Sequence, residues 1–261
     1  MKAPTKLVPA LQNGIRVIEA LNRHGQGGAS LAELARTLAI TKSHCHAILK
    51  TLAHSGWLRF DERSKTYSLG AALLATCSSM LASPELKRIR ERLTQLVVES
   101  GFSCVLTQPQ TDGTFIVIDN FPNDNLVLVS YAIGSTLPHD SPAQMRAYLA
   151  WQSQVEQERW LTAKMIRKYT RNTITSPEHL ISELAATKAR GFSRSIGEHF
   201  EGMLAYGLPI FARDGKVAYI FCLAGFEGQV EECEAQVTSA MKRAARDIHD
   251  SIMGEPPADF P

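Results

Sequence analysis

The sequence predicts an α+β protein with two domains of unequal size. Its 261 residues exceed the length of one typical domain. In the first hundred residues most apolar positions recur at helical spacing. Beyond Gly101 short apolar runs alternate with turn residues, as in antiparallel strands. We therefore expect an N-terminal domain over residues 1–70, a linker helix over 71–83 and a C-terminal domain over 84–261.

The stretch from Ser30 to Leu52 predicts two short helices joined by a tight turn. Ser30 followed three residues later by Glu33 is a signal for the start of a helix. A second helix, with its own apolar stripe, is expected to start at Thr41. Ala39 lies in the turn between them, where the backbone is expected to need a positive φ. This arrangement is a helix-turn-helix, whose second helix enters the major groove of DNA.

A short hairpin is predicted directly after these helices, which makes the domain a winged one. Its strands are residues 57–60 and 66–69, with the turn DERSK between them. We expect side chains of the second helix to approach base edges, and basic side chains of helix and wing to contact phosphates. The expected DNA-binding residues are Thr41, Lys42, Ser43, His44, His46, Lys50, Arg59, Arg63 and Lys65. The alternative is an ordinary helical hairpin with a solvated polar face.

Two further helices are expected in the N-terminal third. Residues 11–21 predict a helix that closes the core of the DNA-binding domain. Residues 71–82, AALLATCSSMLA, predict the linker helix. A helix so rich in Ala and Leu is expected to pack against something, most simply a second copy of the chain.

The C-terminal domain is predicted to have a mostly antiparallel sheet flanked by helices. The strands are expected over 103–107, 114–120, 125–131, near 192, and over 202–211 and 217–224, with Asp214-Gly215 as the strongest hairpin signal. The helices are expected over 85–100, from Ser141-Pro142 to about 151, and over 153–169, 176–189 and 229–253. The tail after Gly254 is expected to be loose.

Charge is distributed unevenly along the chain. Residues 1–80 contain 10 Lys and Arg against 4 Asp and Glu, whereas the remainder contains 18 against 22. A basic N-terminal third suits contact with phosphates, because each neutralised phosphate releases condensed counterions.

Composition disfavours several other classes of protein. The 5 cysteines include no CxxC pair and the 8 histidines have no metal-ligand spacing, so we expect no disulfide framework, no metal and no cofactor. No apolar run is long enough to span a bilayer, and the N-terminus lacks the apolar core of a signal peptide. We therefore expect a cytoplasmic protein without a membrane partner.

These motifs together resemble the IclR family of bacterial transcriptional regulators over nearly the whole chain. The N-terminal resemblance lies in SLAELARTLAITKSHCHAILKTLAHSGWLRFD and YSLG, and the C-terminal one in LPHDSPAQMRAYLA and GFSRSIGEHFEGMLAYGLPIFARDGKVAYIFCLAG. The resemblance implies a GAF-like effector-binding domain, a small organic acid as effector and double-stranded operator DNA as partner. It also implies dimers or dimers of dimers, and a repressor or dual regulator of a catabolic operon.

The resemblance further implies where the effector binds. Family members hold a carboxylate at the start of the helix after the LP motif, where this chain has Gln144 and Met145 in place of Ala-Gly. Free N–H groups at such a helix end favour an anion. The effector-binding residues are then Gln144, Met145, Ser195, Met203, Ala205, Cys222, Ala224 and Tyr131, with Phe221 as an alternative to the last.

Four of these positions depart from the family pattern. The family's acid, cysteine and two serines fall on Ser195, Ala205, Cys222 and Ala224. Losing these polar groups weakens the binding of a tiny hydrated acid, whose atoms need matched hydrogen bonds. We therefore expect an aromatic or otherwise bulky carboxylate. The alternative is a pocket that has lost its ligand.

Two other functions compete with a ligand-responsive regulator. One is an enzyme fused to a DNA-binding domain, with Cys222 or Cys104 as nucleophile and His139 or His199 as base. The sequence has no GxSxG motif, no glycine-rich phosphate loop and no paired carboxylates, and a thiol inside an apolar strand is usually inert. The other is a scaffold whose C-terminal domain only oligomerises.

Overall fold

The computed structural model describes residues 7–123 and 131–260, and the chain divides into two compact units, Met1–Ser83 and Pro84–Pro261. The predicted linker helix falls within the first unit. In chain order the first unit contains α1 (Pro9–His24), a 3-10 turn (Gly25–Gly27), β1 (Ala29–Ser30), α2 (Leu31–Leu38), α3 (Lys42–His54), β2 (Leu58–Asp61), β3 (Thr66–Leu69) and α4 (Ala72–Leu81).

Local side-chain hydrogen bonds fix the two central helices of the first unit. Ser30 accepts a hydrogen bond from the N–H of Glu33, whose carboxylate in turn accepts from the N–H of Ser30, so the predicted capping box is present. Thr41 caps α3 through the N–H of His44. Ala39 has φ of 54°, the left-handed conformation that the turn was predicted to need. The core between the helices consists of Val17, Leu21, Leu34, Cys45 and Leu49, all fully or almost fully buried.

The wing is a three-stranded antiparallel sheet in the order β1-β3-β2. The hairpin of β2 and β3 was predicted, with Asp61 paired to Thr66 at its tip. The short strand β1, paired to β3 through Ala29 and Ser30, was not predicted. Two residues are too few to give an alternating pattern in the sequence.

The second unit is built on a six-stranded antiparallel sheet in the order β6-β5-β4-β9-β8-β7, which confirms the α+β class. Its strands are β4 (Ser103–Pro109), β5 (Phe115–Phe121), β6 (Thr136–Leu137), β7 (Ser193–Ile196), β8 (Met203–Phe211) and β9 (Val217–Phe226). Its helices are α5 (Pro84–Ser100), α6 (Pro142–Leu149), α7 (Gln154–Ala163), α8 (Pro177–Arg190), α9 (Glu227–Glu231) and α10 (Glu234–Ile252).

Alternation along the strands creates two different cores, one on each face of the sheet. On one face, Tyr206 of β8 and Phe221 of β9 pack with Leu93 of α5 and Met241 of α10. On the other face, alternate residues of β5 and β9 pack against α6. Behind α6, a third cluster joins this helix to α7 and α8. The sheet is thus covered by helices on both faces.

Two predicted helices differ from the structure, one in its end and the other in its continuity. The helix predicted over 153–169 ends at Ala163, because Lys164 is extended and the backbone N–H of Arg167 donates instead to the carboxylate of Asp140 at 2.8 Å. The helix predicted over 229–253 is broken at Cys233, whose φ of −122° is not helical, so that α9 and α10 are separate. Of the strand predicted over 125–131, only Tyr131 lies within the described residues.

The tail after Gly254 is packed, so its prediction as a loose segment was wrong. Phe260 lies edge-on to Trp151 with ring centroids 5.0 Å apart and contacts Phe211 in the same way at 5.3 Å. Lys188 of α8 pairs with Asp259 at 2.8 Å. These are long-range contacts that the composition of EPPADFP does not reveal.

Candidate functional site

Helix α3 presents one apolar and one polar face. Cys45, Ile48 and Leu49 are buried in the core of the first unit. The opposite face is exposed and consists of Thr41 at the N-cap followed by Lys42, Ser43, His46 and Lys50. The surface that was predicted to approach DNA therefore points outward, with two ammonium groups on it.

His44 differs from its neighbours on α3, because it is half-buried against α1. Its Nε2 lies 3.3 Å from Nδ2 of Asn13. The Oδ1 of Asn13 accepts a hydrogen bond from Arg16 at 3.1 Å, and Arg16 also donates to the backbone oxygen of Leu38 at 3.0 Å. Sequence analysis missed Asn13 and Arg16, although their spacing of three residues puts them on one face of α1. They fasten the turn and the start of α3 to α1.

The wing is less positive than its basic residues imply. Arg59 and Arg63 are exposed. Lys65, which was also predicted to contact phosphate, pairs with Glu62 at 2.7 Å and lies over the ring of Phe60 at 5.8 Å. Asp61 accepts hydrogen bonds from the N–H groups of Arg63 and Ser64 and so shapes the tip. Lys65 must give up its ion pair to reach a phosphate.

The second unit contains a cavity of about 150 Å³ on the face of the sheet that α6 covers. The register of the strands places the residues of the cavity floor side by side. Ser195 pairs with Ala205, Ala205 with Ala224, and Ala224 with Ser103. This row of small side chains across four strands leaves space above it. The remaining lining residues are Cys104, Val105, Asn120, Phe121, Pro122, Tyr131, Ser141, Pro142, Ala143, Gln144, His199, Phe200, Met203, Leu204 and Cys222.

Most of the residues that the resemblance implied do line this cavity, and Met145 does not. Gln144, Tyr131 and Met203 are on its wall, whereas Met145 is buried with Leu161 and Leu184 behind α6. One residue along a helix turns the side chain by about 100°, and the step from Gln144 to Met145 turns it from the cavity to the cluster behind α6. Phe221, the alternative to Tyr131, is in the core on the opposite face of the sheet.

The N-terminus of α6 forms the polar end of the cavity. Ser141 is the N-cap residue, but its side chain makes no capping hydrogen bond, whereas Ser30, Thr41, Ser153 and Ser176 all cap their helices. Ser141 is 2% exposed, and its hydroxyl has no hydrogen-bond partner within the described residues. The first N–H groups of a helix also lack intrahelical partners and carry partial positive charge. An anion would satisfy both kinds of group.

Asp140, the residue before Ser141, is fully buried and heavily hydrogen-bonded. Burial alone would raise its pKa, but hydrogen bonds from Arg167 and Tyr169 outweigh this effect and lower the pKa well below its usual range. Arg167 donates through Nε and Nη2 at 3.1 and 2.9 Å. These hydrogen bonds therefore hold the segment that follows α7 against the residue before the N-cap of α6.

A buried ion pair joins α6 to the loop between β7 and β8. Arg146, on α6, is 1% exposed and donates to Oε1 of Glu198 at 2.8 Å, with a second hydrogen bond between the same two groups. Glu198 also accepts from the N–H of Ile174 at 3.2 Å. The pair lies next to His199, which lines the cavity.

The two cysteines considered as nucleophiles, Cys222 and Cys104, are poor ones. Burial raises the pKa of the Cys222 thiol well above its ordinary value, and burial likewise raises that of Cys104. His139, one of the two bases considered, has its Nε2 3.1 Å from the backbone oxygen of Met165. A thiol that stays protonated does not support the enzyme alternative.

Such an architecture, with an exposed basic recognition helix in one unit and a small cavity in the other, is that of a transcriptional regulator with separate DNA-binding and effector-binding domains. Residues 10–62 match the IclR helix-turn-helix domain, and residues 80–250 match the bacterial transcriptional regulator IclR C-terminal domain. The chain belongs to the IclR family of transcriptional regulators, which confirms the resemblance. Within the two described stretches, no helix is both long and apolar enough to cross a membrane.

Similar proteins agree with this assignment. The chain is 31% identical to the transcriptional repressor IclR of Escherichia coli (strain K12), over 79% of this chain and 76% of that protein. The crystal structure of an IclR transcriptional regulator from Alicyclobacillus acidocaldarius matches with a TM-score of 0.84 at 25% identity, over 94% of this chain and 99% of that one. An IclR homologue from Microbacterium hydrocarbonoxydans, solved in complex with 4-hydroxybenzoate, shares the fold with a TM-score of 0.78 at 17% identity and the same coverage.

Proposed function

We propose that this chain is a repressor of a catabolic operon whose binding to operator DNA is controlled by an aromatic monocarboxylate. In this proposal residues 1–70 contact DNA, residues 71–83 link the domains, and residues 84–261 bind the effector. The protein acts in the cytoplasm. The observation that carries it is the buried hydroxyl of Ser141, which has no hydrogen-bond partner among the described residues. Ser141 lies at the start of α6 and lines a cavity whose other walls are mostly apolar.

The size and lining of the cavity support an aromatic ring as the body of the effector. A dry cavity of about 150 Å³ accommodates benzene in a model protein, and this cavity has the same volume. Val105, Phe121, Met203 and Cys222 give it apolar walls, which favour a ring over a small hydrated acid. A fold relative that was crystallised with 4-hydroxybenzoate is consistent with a ligand of this class.

The exposed face of α3 supports operator DNA as the partner. Lys42 and Lys50 supply positive charge, while Ser43 and His46 offer groups that can hydrogen-bond to base edges. We include Thr41, Arg59, Arg63, Lys65 and the half-buried His44 in the same interface. The relative from Escherichia coli is named a repressor, which favours repression for this chain.

Exposed apolar side chains support self-association through the first unit. Leu11 and Ile15 on α1 are 65% and 51% exposed, and Leu74 on α4 is 67% exposed. No residue of α4 is buried in the described part of the unit. Apolar helix faces of this kind are typical of contacts between subunits, so we propose a dimer or a dimer of dimers.

The test combines selection of DNA with titration of ligand. The full-length protein is used to select duplexes from a random-sequence pool, and the affinity for the enriched duplex is then measured by fluorescence anisotropy with and without benzoate and its hydroxylated derivatives. We expect an enriched sequence with two related half-sites and a change in affinity of at least about fivefold on adding ligand. No enriched sequence, or no ligand among these acids, would overturn the proposal.

A further inference from the structure

A second residue that lines the cavity has a buried polar atom without a hydrogen-bond partner among the described residues. It is Nδ1 of His199, which makes no hydrogen bond to any described residue. The imidazole is held in place by ring contacts, with centroids 4.4 Å from Tyr169 and 4.6 Å from Phe200. Leaving a buried polar atom without a partner costs free energy. Ser141 and His199 each have such an atom and line the same small cavity, which favours a ligand that satisfies both.

The charge state of His199 limits what that ligand can be. Burial lowers the pKa of its imidazole, although the carboxylate of Asp140 acts in the opposite direction. The ring is therefore neutral near pH 7 and offers one donor and one acceptor, but no charge.

The nearby guanidinium groups do not supply the missing charge. Arg146 is held by Glu198, and Arg167 is held by Asp140 and Tyr169. A second carboxylate on the ligand would be buried beside a neutral imidazole without a counter-ion, which is costly. A hydroxyl, by contrast, can donate to or accept from a neutral imidazole.

We propose that His199 is a specificity-determining residue, which hydrogen-bonds to a hydroxyl on the ring of an aromatic monocarboxylate held at α6. This inference rests on the proposed function, since it adds the second polar group of the same ligand. The cavity then prefers hydroxylated aromatic monocarboxylates over unsubstituted ones and rejects aromatic dicarboxylates.

The test is a calorimetric titration of the full-length protein with benzoate, the three monohydroxybenzoates and the three benzenedicarboxylates. We expect at least one hydroxybenzoate to bind about tenfold or more tightly than benzoate, since a site built for a hydroxyl discriminates against its absence. The dicarboxylates should bind more weakly than benzoate.

Substitution of His199→Phe assigns the preference to this residue. Phenylalanine keeps an aromatic ring between Tyr169 and Phe200 but has no polar atom. We expect the preference for the hydroxybenzoate over benzoate, measured as the ratio of their Kd values in the same variant, to fall to about one. His179→Phe, on the exposed surface of α8, is the matched control and should keep the wild-type preference.

The outcomes separate the two proposals. The proposed specificity role of His199 fails if the wild-type protein binds benzoate and every hydroxybenzoate equally well. It also fails if His199→Phe weakens the binding of all of them in parallel. In either case the proposed class of effector, aromatic monocarboxylates, stands. If the wild-type protein binds none of the aromatic acids, the proposed function fails and this inference fails with it. The wild-type series decides the question even if the variant does not fold.

Discussion

Tyr169 donates its phenolic hydrogen to the buried carboxylate of Asp140 at 2.6 Å, while its ring packs on His199. One side chain thus touches both Asp140, two residues before α6, and His199, which lines the cavity. Since Asp140 is followed directly by Ser141, this contact helps to fix the position of the uncapped helix end. Substitution of single side chains that line the cavity, beginning with Ser141, tests what this helix end binds.

The first prediction concerns Ser141→Ala. The change removes a buried hydroxyl without a partner, so the free energy of unfolding of the free protein should stay the same or rise by up to about 1 kcal/mol. Affinity for an aromatic carboxylate should fall about tenfold, because a hydrogen bond to a charged group is lost. Urea unfolding and calorimetric titration measure the two effects.

Ser176→Ala is the control for that prediction. Ser176 caps α8 through the N–H of His179 at 3.2 Å and does not line the cavity. Its loss should lower the free energy of unfolding by about 1 kcal/mol and leave ligand affinity unchanged. A Ser141→Ala variant that behaves like this control would show that the hydroxyl has no role in binding.

The second prediction separates charge from sequence recognition on α3. Lys50→Ala should weaken binding to all DNA sequences alike and reduce the slope of log K against log salt by about one. Lys65→Ala should have a smaller effect, because Lys65 is already paired with Glu62. His46→Ala should alter sequence preference. Anisotropy titrations on two unrelated duplexes at several salt concentrations distinguish these results. If log K falls equally steeply with log salt in Lys50→Ala and wild type, Lys50 does not contact a phosphate.

The third prediction concerns the turn before α3. Ala39 has a positive φ of 54°, which costs an L-residue about 1 kcal/mol relative to glycine. Ala39→Gly should therefore raise the free energy of unfolding of the N-terminal domain by up to about 1 kcal/mol. Ala47→Gly, on the exposed face in the middle of α3, should lower it by a similar amount. Urea unfolding followed by circular dichroism compares the pair, and a loss of stability in both would contradict the turn argument.

The fourth prediction is a dependence of stability on pH. Nε2 of His249 accepts a hydrogen bond from the N–H of Phe211 at 3.0 Å, and burial lowers the pKa of this imidazole from 6.5 to about 4. Between these two values the unfolded chain binds a proton that the folded chain does not. The neutral, buried His249 thus makes its full contribution to the free energy of unfolding above pH 6.5. This contribution, about 3 kcal/mol, is lost as the pH falls towards 4.

Thermal unfolding between pH 7.5 and 4.5 measures this effect. His249→Gln keeps a group that can accept from Phe211 but does not titrate, so its Tm should fall less steeply with acid than that of wild type. His54→Gln, at an exposed position, should leave the wild-type slope unchanged. If Tm falls equally steeply with decreasing pH in His249→Gln and wild type, His249 is not the source of the pH dependence.

The fifth prediction tests self-association through α4. Leu74→Glu places a charge on the exposed apolar face of that helix and should lower the mass observed by sedimentation to that of a smaller assembly. Val155→Glu is the matched control, because Val155 on α7 is exposed to a similar degree, 71% against 67% for Leu74. An unchanged assembly in Leu74→Glu would remove α4 from the proposed interface.

Features that depend on neighbours in the chain could be predicted from the sequence. The capping residues Ser30 and Thr41, the positive φ at Ala39 and the hairpin at Asp214-Gly215 are set by contacts within a few residues. Ala205 and Cys222, which the resemblance to the family assigned to the effector site, do line the cavity.

Features that depend on distant residues could not be predicted in this way. Met145 was assigned to the cavity through the resemblance to the family, but the turn of α6 directs it to the cluster with Leu161. The packing of Phe260 on Trp151 and the end of α7 at Ala163 depend on partners far along the chain. His199 was considered only as a base, because its place in the lining of the cavity follows from the tertiary fold.

The buried pair of Arg146 and Glu198 has a kinetic consequence. It ties α6 to the residue before His199, so the two walls of the cavity are held in position before anything enters. Little rearrangement is then needed on binding, and little conformational freedom is lost. Under the proposed function, association of the effector should run near the speed of diffusion into an open site, and the lifetime of the complex should set how quickly transcription responds when the effector is withdrawn.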